Sequence, residues 1–183
     1  MLALSLALNT AAAERYSFSN DDSDVGFHMV ATLHEVDGDC RSFQGEIDVG
    51  QKATHTGKVT VQTNAVTTFI DIRDETMHTD VLEVEKYPTA VFDIKAIDGD
   101  LEGLDSKKGS GDVVLKGQLT IKTVSKDVEI PVTYTWDEAG NLSLDGQLAT
   151  QWTNWNLPDP SILISTLYPE IDIKVDVTAK KSP

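Results

Sequence analysis

Residues 68–95 read TFIDIRDETMHTDVLEVEKYPTAVFDIK, and the periodicity changes twice within them. At the start Thr68, Ile70 and Ile72 alternate with Phe69, Asp71 and Arg73, the two-residue repeat of a strand with unlike faces. From Glu75 to Val84 the apolar residues Met77, Val81, Leu82 and Val84 fall nearer to helical spacing. That spacing predicts one or two helical turns lying on an apolar surface. Pro88 ends the segment, because proline has no N–H to give and its ring crowds the preceding turn. Beyond it Ala90, Phe92, Ile94 and Ala96 alternate with Val91, Asp93 and Lys95. The stretch therefore reads strand, short helical lid, strand.

The same two-faced grammar extends in both directions. Arg15 to Phe18 is a short first strand, and the cluster from Asn20 to Asp24 is a turn. Val25, Phe27, Met29, Ala31 and Leu33 share one face of a strand of about nine residues, and Asp37-Gly38-Asp39 predicts the hairpin after it. Phe43, Gly45, Ile47 and Val49 make the next face, Gly50 to Gly57 a polar loop, and Val59, Val61, Thr63 and Ala65 the face after that. The segment from Asp98 to Gly111 reads as a flexible loop and not a linker, since alternation resumes unchanged from Val113 to Lys122. Further faces follow at Val128 to Trp136, Leu142 to Leu148 and Ile171 to Val177.

About eight long strands result, antiparallel by their short connections. An open sheet of that size exposes two edges that invite aggregation, and closure removes them. The charged faces must meet water, so the apolar ones turn inward. The expected fold is all-β, a closed antiparallel eight-stranded barrel with a short helical lid segment, formed as one domain over residues 14–183.

Charge narrows the partners. Thirty acidic residues against fifteen Lys and Arg give a formal net charge of −15, which repels phosphate backbones and anionic headgroups. Nucleic-acid binding and a stable membrane anchor are both disfavoured, and solubility is the plain meaning of the excess. Cys40 is the single cysteine, so no intrachain disulfide or CxxC site can form; strand alternation sets it among side chains as a buried thiol. The opening MLALSLALNTAAAE has a short apolar run and then Ala11-Ala12-Ala13. It matches a secretory leader cut after Ala13, although no Lys or Arg precedes the run. That run is too short to span a bilayer, and a soluble, exported mature chain is expected.

A barrel of this size is filled by its own side chains or holds one elongated apolar ligand. The inward face is rich in Val, Ala, Leu, Ile and Gly, with Gly45, Gly117 and Gly146 leaving volume for neighbours, and composition alone leaves both outcomes open. No GxSxG elbow, phosphate-cradling glycine loop or Cys/His arrangement suggests catalysis. His34, His78, Asp74 and Glu35 offer metal-ligand chemistry without any ligand-spaced motif, so a metal-assisted enzyme using His34 and His78 is the alternative. A packed barrel acting through its acidic surface on a basic protein is another.

Several ordered segments carry a resemblance. They are Val25-Gly26-Phe27, the run from Val36 to Ile47, Arg73-Asp74 followed by Met77-His78 and Val81-Leu82, the run from Lys86 to Phe92, and the run from Gly117 to Val128. Together they resemble the YceI-like lipid or polyisoprenoid-binding family. The resemblance implies an exported bacterial protein, periplasmic or secreted, with a lipocalin-like barrel around an isoprenoid, quinone or fatty-acyl chain. It implies transport, storage or stress protection, no catalysis and no cofactor, and it leaves a homodimer open. Inward-facing parity, not the family, selects the cavity residues: Phe27, Met29, Ala31, Leu33, Phe43, Ile47, Phe92, Ile94, Leu115, Leu119, Tyr134, Leu148, Trp152 and Trp155. Arg73, Asp74 and His78 are the candidate headgroup contacts, since a guanidinium suits a carboxylate or phosphate; a structural ion pair joining strand to lid is the competing reading.

Overall fold

The computed structural model describes residues 13–50, 55–161 and 164–183. The expected leader falls on residues 1–13, of which 1–12 lie outside the described residues, as do 51–54 of the expected polar loop. Among the described residues eleven strands form one sheet. In chain order they are β1 (Glu14–Ser19), β2 (Asp24–Ala31), β3 (Glu35–Cys40), β4 (Phe43–Val49), β5 (Thr56–Gln62) and β6 (Val66–Thr67). β7 (Thr89–Gly99), β8 (Ser110–Ile121), β9 (Val124–Trp136), β10 (Leu142–Gln151) and β11 (Leu167–Lys181) follow.

The ring runs β1-β4-β5-β7-β8-β9-β10-β11 and closes back on β1 through Tyr16 opposite Lys181 and Ser17 opposite Lys180. Every pairing is antiparallel. The fold is thus a closed eight-stranded antiparallel barrel, with β2, β3 and β6 as extra strands continuing its wall. β1 and β2 act as two halves of one bent strand, because β11 pairs with β2 along its first part and with β1 at its end. At the bend the Thr178 N–H would lose its ladder partner; it donates instead to the buried Ser23 hydroxyl at 3.0 Å. β3 and β4 are similarly broken at Arg41 and Ser42, where Arg41 N donates to Ala65 O and Gln62 N to Ser42 O, each at 2.9 Å.

Three sequence expectations fail locally. Asp37-Gly38-Asp39 is the middle of β3, not a hairpin turn; the chain reverses at Thr32 to His34, where Ala31 N donates to His34 O at 2.8 Å. The glycine serves a close approach, since Gly38 lies opposite Phe27 and a Cβ there would overlap the Phe27 ring. Likewise Thr68 to Arg73 is not a strand. The ladder ends at Thr67, Phe69 adopts a left-handed φ of 64°, and helix α1 (Asp71–Thr76) begins. It continues as a π-helical turn over Met77–Val81, so the lid starts earlier than helical spacing indicated. The expected loop from Asp98 to Gly111 contains a second helix, α2 (Glu102–Ser106).

The two barrel ends differ. α2 sets Leu104, 1% exposed, into one end, in the same buried core as Tyr16, Val49, Tyr134, Trp136, Leu142 and Ala179. Tyr16 and Trp136 meet edge to face with centroids 5.1 Å apart. Buried His55 ties this plug to the wall: Gly50 N donates to its Nδ1 at 3.2 Å. Its Nε2 lies 3.0 Å from Asp105 Oδ1 at the other side. The other end is hollow beneath the lid. Among the described residues no helix is long and apolar enough to cross a membrane.

Candidate functional site: a lidded apolar cavity

The hollow end encloses about 650 Å³, within the range of small-molecule sites. Its wall comes from alternate residues of nearly every strand, including Val25, Met29, Val61, Phe92, Leu119 and Ile173. The lid contributes Ile72, Arg73, Thr76, Met77, Val81 and Leu82, and the loop before β11 adds Leu157, Pro160, Ser161 and Ser165. His34 is exposed and Ile72 is 75% exposed, yet both line the cavity, so they mark its mouth.

Two tryptophans show how polar atoms are kept from the hollow. They sit on a 3-10 turn, Trp152–Trp155. Trp152 Nε1 donates to Tyr168 O and Trp155 Nε1 to Leu119 O, both at 2.9 Å. With both N–H groups spent on backbone carbonyls, the rings offer the cavity carbon surface.

The lid is pinned at both ends. At its start Asp74 accepts from Thr67 Oγ1 at 2.6 Å, from Thr68 N at 2.7 Å and from Thr68 Oγ1. Burial opposes ionisation of this carboxyl, but the bonds from Thr67 and Thr68 outweigh it and hold its pKa below the ordinary aspartate value. Arg73 donates from Nε to Thr68 Oγ1 at 2.7 Å and from Nη2 to Thr68 O at 2.6 Å. At the far end Lys122, on the β8–β9 turn, donates to Val81 O at 3.1 Å and pairs with Glu83. The π turn closes through Leu82 N donating to Met77 O at 2.8 Å; such turns recur at functional sites.

Of the residues selected by parity, Phe27, Met29, Ala31, Ile47, Phe92, Ile94, Leu115, Leu119, Leu148, Trp152 and Trp155 line the cavity. Three do not. Leu33 is 67% exposed at the hairpin tip, where the turn breaks strand parity. Phe43 is buried in the core just after the break between β3 and β4, and Tyr134 is buried at the plugged end beside Gly103 and Gly111 of the α2 region. Of the headgroup candidates only Arg73 lines the cavity. Asp74 turns to Thr67 and Thr68, and His78 Nε2 donates to Val66 O at 2.7 Å. Parity missed Met77, Val81 and Leu82, whose signal was helical, and Leu157 and Pro160, which carry no periodic signal.

Cys40 borders the cavity, and burial, then the charge of Asp39, pushes its thiol up to about 12. Among the described residues no three of His, Cys, Asp and Glu converge as a metal site. A second concavity of about 700 Å³ lies outside, over β1, β4 and β5. Polar and charged residues such as Gln44, Glu46, Lys58 and Lys180 line it, so it lacks the interior's character.

A closed barrel, plugged at one end and hollow beneath a pinned lid at the other, defines the class: an antiparallel barrel with a carbon-lined interior cavity. The chain belongs to the YceI-like domain family, whose profile matches residues 16–179. In structure it is similar to BcnA of Burkholderia cenocepacia, with TM-score 0.74 and 20% identity over 86% of this chain and 96% of that one. A polyisoprenoid binding domain from Saccharophagus degradans aligns with TM-score 0.72 and 12% identity, covering 93% of this chain and 99% of that one. The YCEI protein of Campylobacter jejuni aligns with TM-score 0.68 and 19% identity, over 83% and 88%. No curated protein matches the chain in sequence.

Proposed function

We propose that this protein holds one elongated apolar ligand, a polyisoprenoid, isoprenoid quinone or fatty-acyl chain, inside its barrel without catalysis. The carrying observation is the 650 Å³ cavity, with an almost wholly carbon wall reached past a lid. Membership of the YceI-like family and the likeness to a polyisoprenoid binding domain support this reading. Transport, storage or stress protection in an exported, periplasmic or secreted chain is the setting it suits. The energetics are adequate: about 0.8 kcal/mol per buried methylene gives a dozen carbons roughly 10 kcal/mol, enough to offset much of the cost of immobilisation. Residues such as Phe27, Met29, Phe92, Leu119 and Trp155 would contact the chain.

Native mass spectrometry of the purified protein tests the proposal. A bound adduct removed by organic extraction, and restored by added isoprenoid or fatty acid, is the expected result. Protein that is bare as purified and takes up neither class of chain defeats it.

A further inference from the structure

Arg73 is the single formally charged residue in the cavity lining, which holds no Asp, Glu or Lys. A guanidinium has five N–H donors, and Thr68 engages two of them. Three remain. In a chain with twice as many acidic as basic residues, Arg73 has no carboxylate within ion-pair distance among the described residues. The nearest acid in sequence, Asp74, is committed to Thr67 and Thr68. Thr68 links the two, its hydroxyl accepting from Arg73 Nε while donating to Asp74 Oδ1, which fixes the guanidinium plane. A structural role for Arg73 explains the clamp on Thr68. It does not explain a cation with free donors, and with no carboxylate in direct contact among the described residues, left at the rim of a carbon-lined hollow.

Position completes the argument. Arg73 is half-buried on the lid between Ile72 and Thr76, which, like His34, line the cavity yet are exposed to solvent. The lining runs from there down to Ile130, Val132 and Val177. We propose that Arg73 is a headgroup subsite selecting amphiphiles whose single polar end is an oxyanion, carboxylate or phosphate, with the tail directed into the barrel. The proposal rests on the carrier reading above and narrows it, ranking acid-headed chains over neutral quinones and alcohols. An oxyanion at the mouth keeps part of its hydration while gaining charge-assisted hydrogen bonds from the free donors.

The test compares palmitic acid, methyl palmitate and hexadecyl phosphate on delipidated protein, with dissociation constants from displacement of a lipophilic dye. The acid and the phosphate are expected to bind at least about tenfold more tightly than the ester. Arg73→Met is expected to erase that difference, read as the ratio of acid to ester affinity within each variant, so that loss of the Thr68 clamp, which acts on both ligands alike, cancels. The tighter of acid and phosphate identifies the source of the oxyanion. Equal binding of acid and ester by the wild type, or an acid preference that survives Arg73→Met, overturns the subsite and leaves the carrier reading standing. Failure of all three probes to bind overturns the subsite, and removes the carrier reading as well when an added isoprenoid also fails to bind. Should Arg73→Met not fold, the wild-type acid-to-ester ratio decides, with Arg73→Lys expected to retain part of the preference.

Discussion

Phe27 faces Gly38 across β2 and β3, and Phe18 faces Gly45 across β1 and β4. Each ring lies over the glycine where a Cβ would stand, so bulk on one strand is accommodated by its absence on the next. The two sites differ in what surrounds them. At Gly45 the nearest atoms all belong to the Phe18 ring, with Cε1 at 2.7 Å from a built Cβ. At Gly38 the Thr67 carbonyl also stands 2.6 Å away, and backbone cannot rotate aside. Both Gly→Ala changes should destabilise by about 1–3 kcal/mol, with Gly38→Ala the worse. Urea unfolding should show Phe18→Leu partly rescuing Gly45→Ala, and Phe27→Leu rescuing Gly38→Ala less. Cys40 makes a second prediction at this scale: with its thiol pushed up to about 12, alkylation by iodoacetamide at neutral pH should be far slower than in the urea-unfolded chain. In the sequence Gly38 carried a turn signal, because Asp-Gly-Asp is good turn chemistry and the opposing phenyl ring is a long-range fact.

At the scale of elements, the lid decides access. Its first turn is tied to the sheet by the Thr67, Thr68 and Asp74 bonds, and its last by Lys122 reaching Val81 and Glu83 from the β8–β9 turn. Lys122 itself sits at a left-handed φ of 54°, which directs this turn toward the lid. Glu83 is 39% exposed, so solvent screens the pair and it adds little to global stability. Lys122→Ala should therefore leave the unfolding midpoint nearly unchanged while amides of residues 77–84 exchange faster and dye release from the cavity accelerates. An unchanged exchange pattern would show that the latch does not hold the lid. The helical spacing of Met77, Val81 and Leu82 disclosed that a lid exists. Its true start was hidden, because Thr68, Ile70 and Ile72 alternate like a strand while Asp74 takes the hydrogen bonds that end the ladder and begin the helix.

The whole molecule is held closed by few strand pairs at the β1–β11 seam, and Glu14 reinforces it. Its carboxylate accepts hydrogen bonds from Lys107 at the end of α2 and from Lys181 on β11, which lower its pKa to about 2. An unfolded glutamate titrates near about 4.3, so folding is favoured by this group above that value, and the contribution is lost as pH falls through the folded value. Glu83 beside Lys122 and Asp137 beside Asn141 are lowered as well and act in the same direction. The urea midpoint should drop between roughly pH 4.5 and pH 2, and Glu14→Gln should flatten part of that slope. A midpoint independent of pH across that window would remove the seam from the account. Salt should weaken the effect, since these pairs are exposed.

The closed eight-stranded ring, its antiparallel order, the inward apolar faces and the existence of a lid were determined by the sequence itself, whereas the extra strands β3 and β6 were not. Each is written in local periodicity, and an edge-free barrel is the way to bury so many one-sided strands. Whether the interior is full or hollow was a tertiary decision, as were the hairpin at Thr32 to His34, the α2 plug, the exclusion of Phe43 and Tyr134 from the cavity and, among the described residues, the lack of a carboxylate in contact with Arg73. Those outcomes depend on which residues meet across strands far apart in the chain, and alternation says which way a side chain points without saying what it will find there.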